Sequence, residues 1–194
     1  MGTRERCEQV TDTDWTPLFL LRTVLFPKAL LGLRIFEPRY LDMISASLRQ
    51  GRDFGICLSH PRGDGHAEPE LVGTLARIVD WGGEAGILQI QVRGQKRFTI
   101  QDWRYEGQLA MASIHPWAEE PIVPMDRESQ PLHAILEDLI GKVPAAGIDA
   151  SSAGMILAQA LPASPEEKQQ LLVLQDPLER LRRIAELLSQ RDGA

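Results

Sequence analysis

Residues 86–103 read GILQIQVRGQKRFTIQDW, and the pattern within them decides the class of fold. Leu88, Ile90 and Val92 fall on one side of an extended chain while Gln89, Gln91 and Arg93 fall on the other, the alternation a half-buried strand requires. Phe98 and Ile100 continue the alternation after Gly94 and Gln95, so the stretch predicts two strands, Gly86 to Arg93 and Lys96 to Trp103, joined as a hairpin by a Gly94-Gln95 turn.

Working outward, further short apolar runs of strand length lie at Leu18 to Leu25, Leu30 to Ile35, Phe54 to Ser59, Leu71 to Trp81 and Gln108 to Ile114. One helix interrupts them. Pro38 suits its first position because the missing N–H is not needed there, and Tyr40, Leu41, Ile44 and Leu48 recur at helical spacing until Gly51. Between Ala118 and Pro131 the composition turns acidic and carries Pro121, Pro124 and Pro131, which break both ladder and helix. Beyond that linker the period becomes helical. Leu132, Ile135, Leu136, Leu139 and Ile140 form one stripe, Ser152 to Leu161 is apolar nearly all round, and Ser164-Pro165-x-Glu167 and Asp176-Pro177-x-Glu179 open two more helices.

Strands followed by helices, without alternation, predict an α+β protein. The expected organisation is an extended or disordered segment over 1–15, a β pseudo-barrel over 16–117 with one inserted helix, a linker over 118–131 and a helical bundle over 132–190. Many short strands at close spacing favour barrel closure, because closure removes exposed edges.

At 194 residues, one large domain or two small ones are expected and not a fused multi-domain machine. With 21 Lys and Arg against 27 Asp and Glu the net charge is −6, opposite in sign to the basic footprint of a nucleic-acid binder. Cys7 and Cys57 are too few for a disulfide framework or a four-cysteine zinc site. Met1 to Val10 lack the apolar core of a signal peptide, and no apolar run approaches the ~18 residues of a membrane span, which together place the expected location in the cytoplasm.

Several blocks carry a family resemblance. Leu25, Phe26 and Pro27 followed by Leu33, Arg34, Ile35, Phe36, Glu37, Pro38, Arg39, Tyr40 and Leu41 resemble the opening signature of the Lon amino-terminal family, the substrate-binding domain of ATP-dependent Lon proteases. Gly73 to Ile78 and Gly94 to Phe98 are similar to its second and third blocks, and Lys168, Gln169, Leu171 and Leu172 to a helical segment near its end, so the likeness runs from about Leu18 to Leu188. The resemblance implies a pseudo-barrel related to PUA-like folds, a helical bundle, and a cleft between them that offers apolar surface to polypeptides. The full proteases add an ATPase and a Ser/Lys peptidase module, and the expectation here is a stand-alone domain. Gly141-Lys142 is followed by Val143 and has Leu136 where a P-loop needs its first glycine, so that pair cannot cradle phosphates.

Candidate sites follow. Phe36, Glu37, Arg39 and Tyr40, at a strand-to-helix junction, are the nominated polypeptide contacts, since an aromatic face, an arginine fork and a helix amino terminus come together there. Glu37 capping the helix, Arg39 bracing the barrel and Phe36 and Tyr40 packing in the core are the competing structural roles. Ser152, within a stretch that resembles the surroundings of the Lon peptidase serine, has only Lys168 downstream as a lysine base, and a first-turn or capping role suits it better. His60, Asp64, His66 and Glu68 lie in a turn-rich loop at irregular spacing, and His115 and His133 are isolated, so neither a metal, another cofactor nor a catalytic residue is expected. Arg180, Arg182, Arg183 and Arg191 suggest a solvated helix face.

The function these readings favour is a non-catalytic domain binding unfolded or misfolded polypeptides, as an adaptor for a separate protease or chaperone. A stand-alone hydrolase and a PUA-like ligand or RNA binder are the alternatives. Partners therefore exclude nucleic acid and membrane, and the oligomeric state is open.

Overall fold

The alternating runs on either side of Gly94 form one strand, not two. In the computed structural model, which describes residues 15–63, 65–84, 87–141 and 147–192, a single strand runs through Ile87–Glu106. Gly94 lies in its middle for a reason other than turning. The segment Phe26 to Ala29 docks against it, with the Gly94 N–H donating to Ala29 O at 2.9 Å and the Lys28 N–H to Gly94 O at 2.8 Å. A Cβ at position 94 would stand 2.2 Å from Phe26 O, so only glycine admits this approach of one backbone to another. Gly86, expected to begin the first of the two strands, lies outside the described residues.

The strands in chain order are β1 (Thr16–Leu21), β2 (Leu30–Ile35), β3 (Phe54–Pro61), β4 (Ala67–Pro69), β5 (Val72–Glu84), β6 (Ile87–Glu106) and β7 (Leu109–Pro116), with helix α1 (Pro38–Gln50) after β2. Pairings run β1-β7-β6-β5-β3, all antiparallel, and a parallel pairing of β1 with β3 returns to the start. The barrel is thereby closed. β4 adds to β3 and β2 adds to the first half of β6, both outside the closed circuit. Register shifts in β5 and in β6 bend these two long strands, which allows each to serve two parts of the wall.

Alternation sets the core as anticipated: Ile90, Val92, Phe98 and Ile100 are buried, with Leu18, Phe54, Ile56 and Ala112 from neighbouring strands. α1 lies over one part of this core. Gly51, left-handed at φ 61°, closes the helix. The buried face of α1 is Tyr40, Met43, Ile44 and Ser47, so the apolar stripe is rotated from Leu41 and Leu48, the latter of which is exposed.

Helices α2 (Pro131–Leu139), α3 (Ala150–Ala160), α4 (Pro165–Val173) and α5 (Pro177–Asp192) form the second part. α3, apolar on nearly every side, is the central helix, with Ala150, Ala153, Met155, Leu157 and Ala158 all buried. α4 begins with the full reciprocal box: the Glu167 N–H donates to Ser164 Oγ and the Ser164 N–H to the Glu167 carboxylate. The core of this bundle takes in Val24, Phe26 and Leu58 from the strand-rich part, so apolar packing continues from barrel to bundle.

Candidate functional site

The strand-to-helix junction sits where β2 ends and α1 begins. Phe36 is 71% exposed, a large apolar ring left in water on an ordered backbone. The residues after it are engaged. Arg39 pairs with Glu37 at 2.6 Å, donates to Gln108 O at 3.0 Å and stacks over the Tyr40 ring at 4.6 Å. Tyr40 itself is 5% exposed and stacks on Phe19 with ring centroids 4.0 Å apart. Burial pushes the Tyr40 phenol above its usual range, against the opposing pull of Arg39. Glu37 stands at the amino-terminal boundary of α1 but makes no side-chain cap bond there. The four nominated residues thus form a graded group: one exposed ring, one half-exposed ion pair and one buried aromatic anchor. Arg39 and Tyr40 also line a small cavity of about 220 Å³ with Arg22, His66 and Tyr105.

A larger cleft, about 580 Å³, opens between the strand-rich and helical parts, lined among others by Lys28, Arg93, Trp117, Ile122 and Met155. Ile122 on its rim is 88% exposed. Its floor is ionic. Arg97 of β6 and Arg180 of α5 both hold Glu120, Arg180 through Nη1 at 2.9 Å and Arg97 through Nη2. Arg97 further donates to the carbonyls of Leu172 and Leu174, at 2.7 and 2.6 Å, and Arg180 to Leu171 O at 3.1 Å and to Leu174 O. Two cations share one carboxylate, and the carbonyls at the end of α4, the negative pole of that helix, supply the remaining compensation. Trp117 covers Arg97 at 4.4 Å.

Burial disfavours the Glu120 charge, but bonds from Arg180 and Ser151 and the field of both arginines outweigh it and hold the carboxyl below its usual range. Burial also pulls the Arg97 guanidinium down to about 10, with Glu120 opposing and Arg180 adding to the effect. This clamp was not legible in the sequence. Arg180, read there as part of a solvated face, has 0% exposure, while Arg182, Arg183 and Arg191 pair with Glu128, Glu186 and Glu167 on the surface.

Ser152 is the third residue of α3, and Asp149 is the cap that accepts its N–H at 3.0 Å. The lysine beside it is Lys28, far upstream, whose Nζ donates to Ser152 Oγ at 2.8 Å, while the Ser152 hydroxyl donates to Asp149 Oδ2 at 2.7 Å. A lysine that donates to the hydroxyl is not removing its proton. Partial burial works against the Asp149 charge, but Ser152 and Lys28 together keep the carboxyl below its ordinary range. The trio acts as a tie between the Phe26 to Ala29 segment and α3. Lys28 adopts φ 66°, a left-handed value unusual for a residue with a side chain, which the two bonds to Gly94 and the reach to Ser152 hold in place.

His60 bonds Glu70 at 2.8 Å and His66 stacks near Tyr105, so these two histidines have separate partners. Asp64 lies outside the described residues, among which no three His, Cys, Asp or Glu gather as a metal site would need. His115 sits opposite Thr99 in the β6–β7 ladder, and His133 buries its Nε2 without a hydrogen bond among the described residues. Cys57 is buried and its thiol is pushed far up by that burial, whereas Cys7 lies outside the described residues. Among the described residues no helix is long and apolar enough to cross a membrane.

A closed barrel bolted by a buried ionic clamp to a helical extension, with an exposed aromatic junction on one side, is a barrel-and-bundle module. Comparison with known proteins gives the family. The model of the ATP-dependent protease La (LON) substrate-binding domain matches residues 15–190, and the chain belongs to that family. The crystal structure of a Lon N-terminal domain protein from Xanthomonas campestris is similar at 33% identity and a TM-score of 0.76, over 89% of this chain and 97% of that one. The N-terminal domain of Lon protease from the Mycobacterium avium complex shares the fold, with a TM-score of 0.65 at 18% identity over 91% and 98% of the two chains. Lon protease of Syntrophus aciditrophicus (strain SB) is 26% identical over 90% of this chain, which spans 24% of that protein's length.

Proposed function

We propose that the protein binds unfolded or misfolded polypeptides through their exposed apolar segments, at the surface carrying Phe36, Glu37, Arg39 and Tyr40, and serves a separate protease or chaperone as a non-catalytic adaptor. Membership of a substrate-binding family supports the polypeptide-binding role. The observation that carries the choice of surface is Phe36, 71% exposed between a strand and a helix. A rigid, wet aromatic gives apolar contact at small entropic cost, and the Arg39 guanidinium beside it supplies polar anchoring.

Fluorescence anisotropy with labelled, unfolded casein tests this. Phe36→Ala should weaken capture about 5- to 30-fold, the effect of losing roughly 1–2 kcal/mol at a contact residue, and Arg39→Ala should weaken it less. Because the Arg39–Glu37 pair is partly exposed, Arg39→Ala should lower the melting temperature by no more than a few degrees. Unchanged capture by both folded variants would move the contact surface elsewhere.

A further inference from the structure

Barrel closure leaves one strand with an open side. β2 pairs with β6 alone, and among the described residues nothing pairs with its other edge. The Gly94 N–H to Ala29 O bond lies in the same register as Leu30 opposite Arg93, and it fixes the parity of the ladder. In an antiparallel pair, alternate residues direct both main-chain groups at the partner. Leu31, Leu33 and Ile35 direct theirs at β6, so Leu30, Gly32 and Arg34 direct theirs away from the sheet.

Among the described residues, this edge lacks most of the usual blunting devices. LLGLRI contains no proline and no register shift, and its one charge is Arg34. At Gly32, a Cβ would meet nothing within 4 Å, so the exposed face beside the edge is open there. The exposed face of the strand is also cationic. Arg34 and Arg93 are both exposed on it and neither pairs with a carboxylate among the described residues, although the whole protein carries a net charge of −6. Arg77 on the same face is taken by Asp53 at 2.8 and 3.0 Å, and Asp80, across from Gln91, accepts the Trp81 N–H. On the opposite face, Leu31 and Leu33 are only partly buried.

We propose that the open edge of β2 takes up an extended segment of another polypeptide as an added β-strand, with acidic side chains of that segment over Arg34 and Arg93 and its alternate apolar side chains beside Leu31 and Leu33. The proposal rests on the polypeptide-binding reading above and names the class of segment bound. Main-chain hydrogen bonds to Leu30, Gly32 and Arg34 supply affinity for any extended chain, and the two faces supply the preference for alternating acidic and apolar residues.

The test uses the full chain and labelled peptides of roughly eight residues, long enough to span the edge. One peptide alternates valine and glutamate, one alternates valine and lysine, and one is the glutamate peptide N-methylated at alternate amides in either phase. The glutamate peptide should bind at least about tenfold more tightly than the lysine peptide, and one N-methylation phase should lose a similar factor. Gly32→Pro should abolish binding, because it removes an outward N–H at the centre of the edge. If that variant does not fold, the exposed double substitution Arg34→Glu with Arg93→Glu decides, and it should reverse the preference towards the lysine peptide. Casein capture without discrimination among the peptides would overturn the edge proposal and leave polypeptide binding intact. Failure to capture casein or any peptide would overturn both. A dimer of the free protein that Gly32→Pro abolishes would assign the edge to a second copy of the chain and overturn the proposal.

Discussion

The floor of the interlobe cleft and the open edge of β2 treat polar groups in opposite ways. Around Glu120 polar groups meet one another: two guanidiniums, a carboxylate and the carbonyls of Leu171, Leu172 and Leu174 are joined by hydrogen bonds, with the Arg97, Arg180 and Glu120 side chains nearly or wholly buried. Along β2 three residues leave their backbone groups to water, and Phe36 leaves its ring there too. The clamp fixes how barrel and bundle sit; the edge remains free to pair. In this molecule the groups of the clamp are therefore physically separate from those along the open edge.

The largest effect should come from the clamp. Glu120→Gln leaves two buried guanidiniums without a counter-charge, and breaking such a group by removing one partner costs about 3–5 kcal/mol. For a chain of this size that lowers the melting temperature by roughly 10 °C. Acid should mimic it. The folded state holds the Glu120 carboxyl below its free value of 4.5, so its stabilisation is complete above that value and is lost as pH falls through the depressed one. Thermal scans from neutral pH downwards should show the wild type losing stability below about 4.5 by a steeper course than Glu120→Gln. Parallel courses would mean that other carboxylates, Asp149 and Glu167 among them, dominate the acid response. Peptide capture by folded Glu120→Gln at low temperature should be unchanged, since the edge lies elsewhere.

What could be read from the sequence follows the same division. Period-2 and period-3.6 patterns are local, so Leu30 to Ile35, the helix from Pro38 and the capping box at Ser164 emerge where expected. The barrel and the bundle, too, were legible from strands preceding helices. The clamp was not. Arg97, Glu120 and Arg180 are far apart in the chain, and an arginine amid other arginines on a leucine-bearing helix looks solvated unless the buried carboxylate that meets it is known. The tie from Lys28 to Ser152 was hidden for the same reason, because the two residues lie 124 positions apart. Phe36 was nominated from its place at a junction, a reading that periodicity alone cannot separate from core packing. The open edge was invisible because strand pairing is a property of topology.

Gly94 shows a local signal misread. A glycine followed by glutamine between two alternating runs reads as a turn, yet here the backbone of Phe26 fills the space a side chain would need. Gly94→Ala should be the next most damaging change, about 1–3 kcal/mol, because the Phe26 carbonyl must move. Since that segment leads directly into β2, the same substitution should also weaken capture at the edge. It is the one place where disturbing the fixed part should disturb the free part. If Gly94→Ala loses stability but captures casein and the glutamate peptide as the wild type does, the edge is independent even of its own anchor.

Ser152→Ala should have the smallest effect and separates a structural tie from chemistry. The Asp149 cap still accepts the backbone N–H of residue 152, so α3 keeps its first turn and only the hydroxyl relay from Lys28 is lost. A partly exposed relay of this kind contributes under about 1 kcal/mol. Capture of casein should be unaffected, because Ser152 belongs to neither Phe36 nor β2. Casein incubated with wild-type protein should stay intact, as it should with the variant. Fragments that appear with the wild type and vanish with Ser152→Ala would show that the Ser152 hydroxyl acts as a nucleophile, and would turn the interlobe cleft from a fixed joint into a working site.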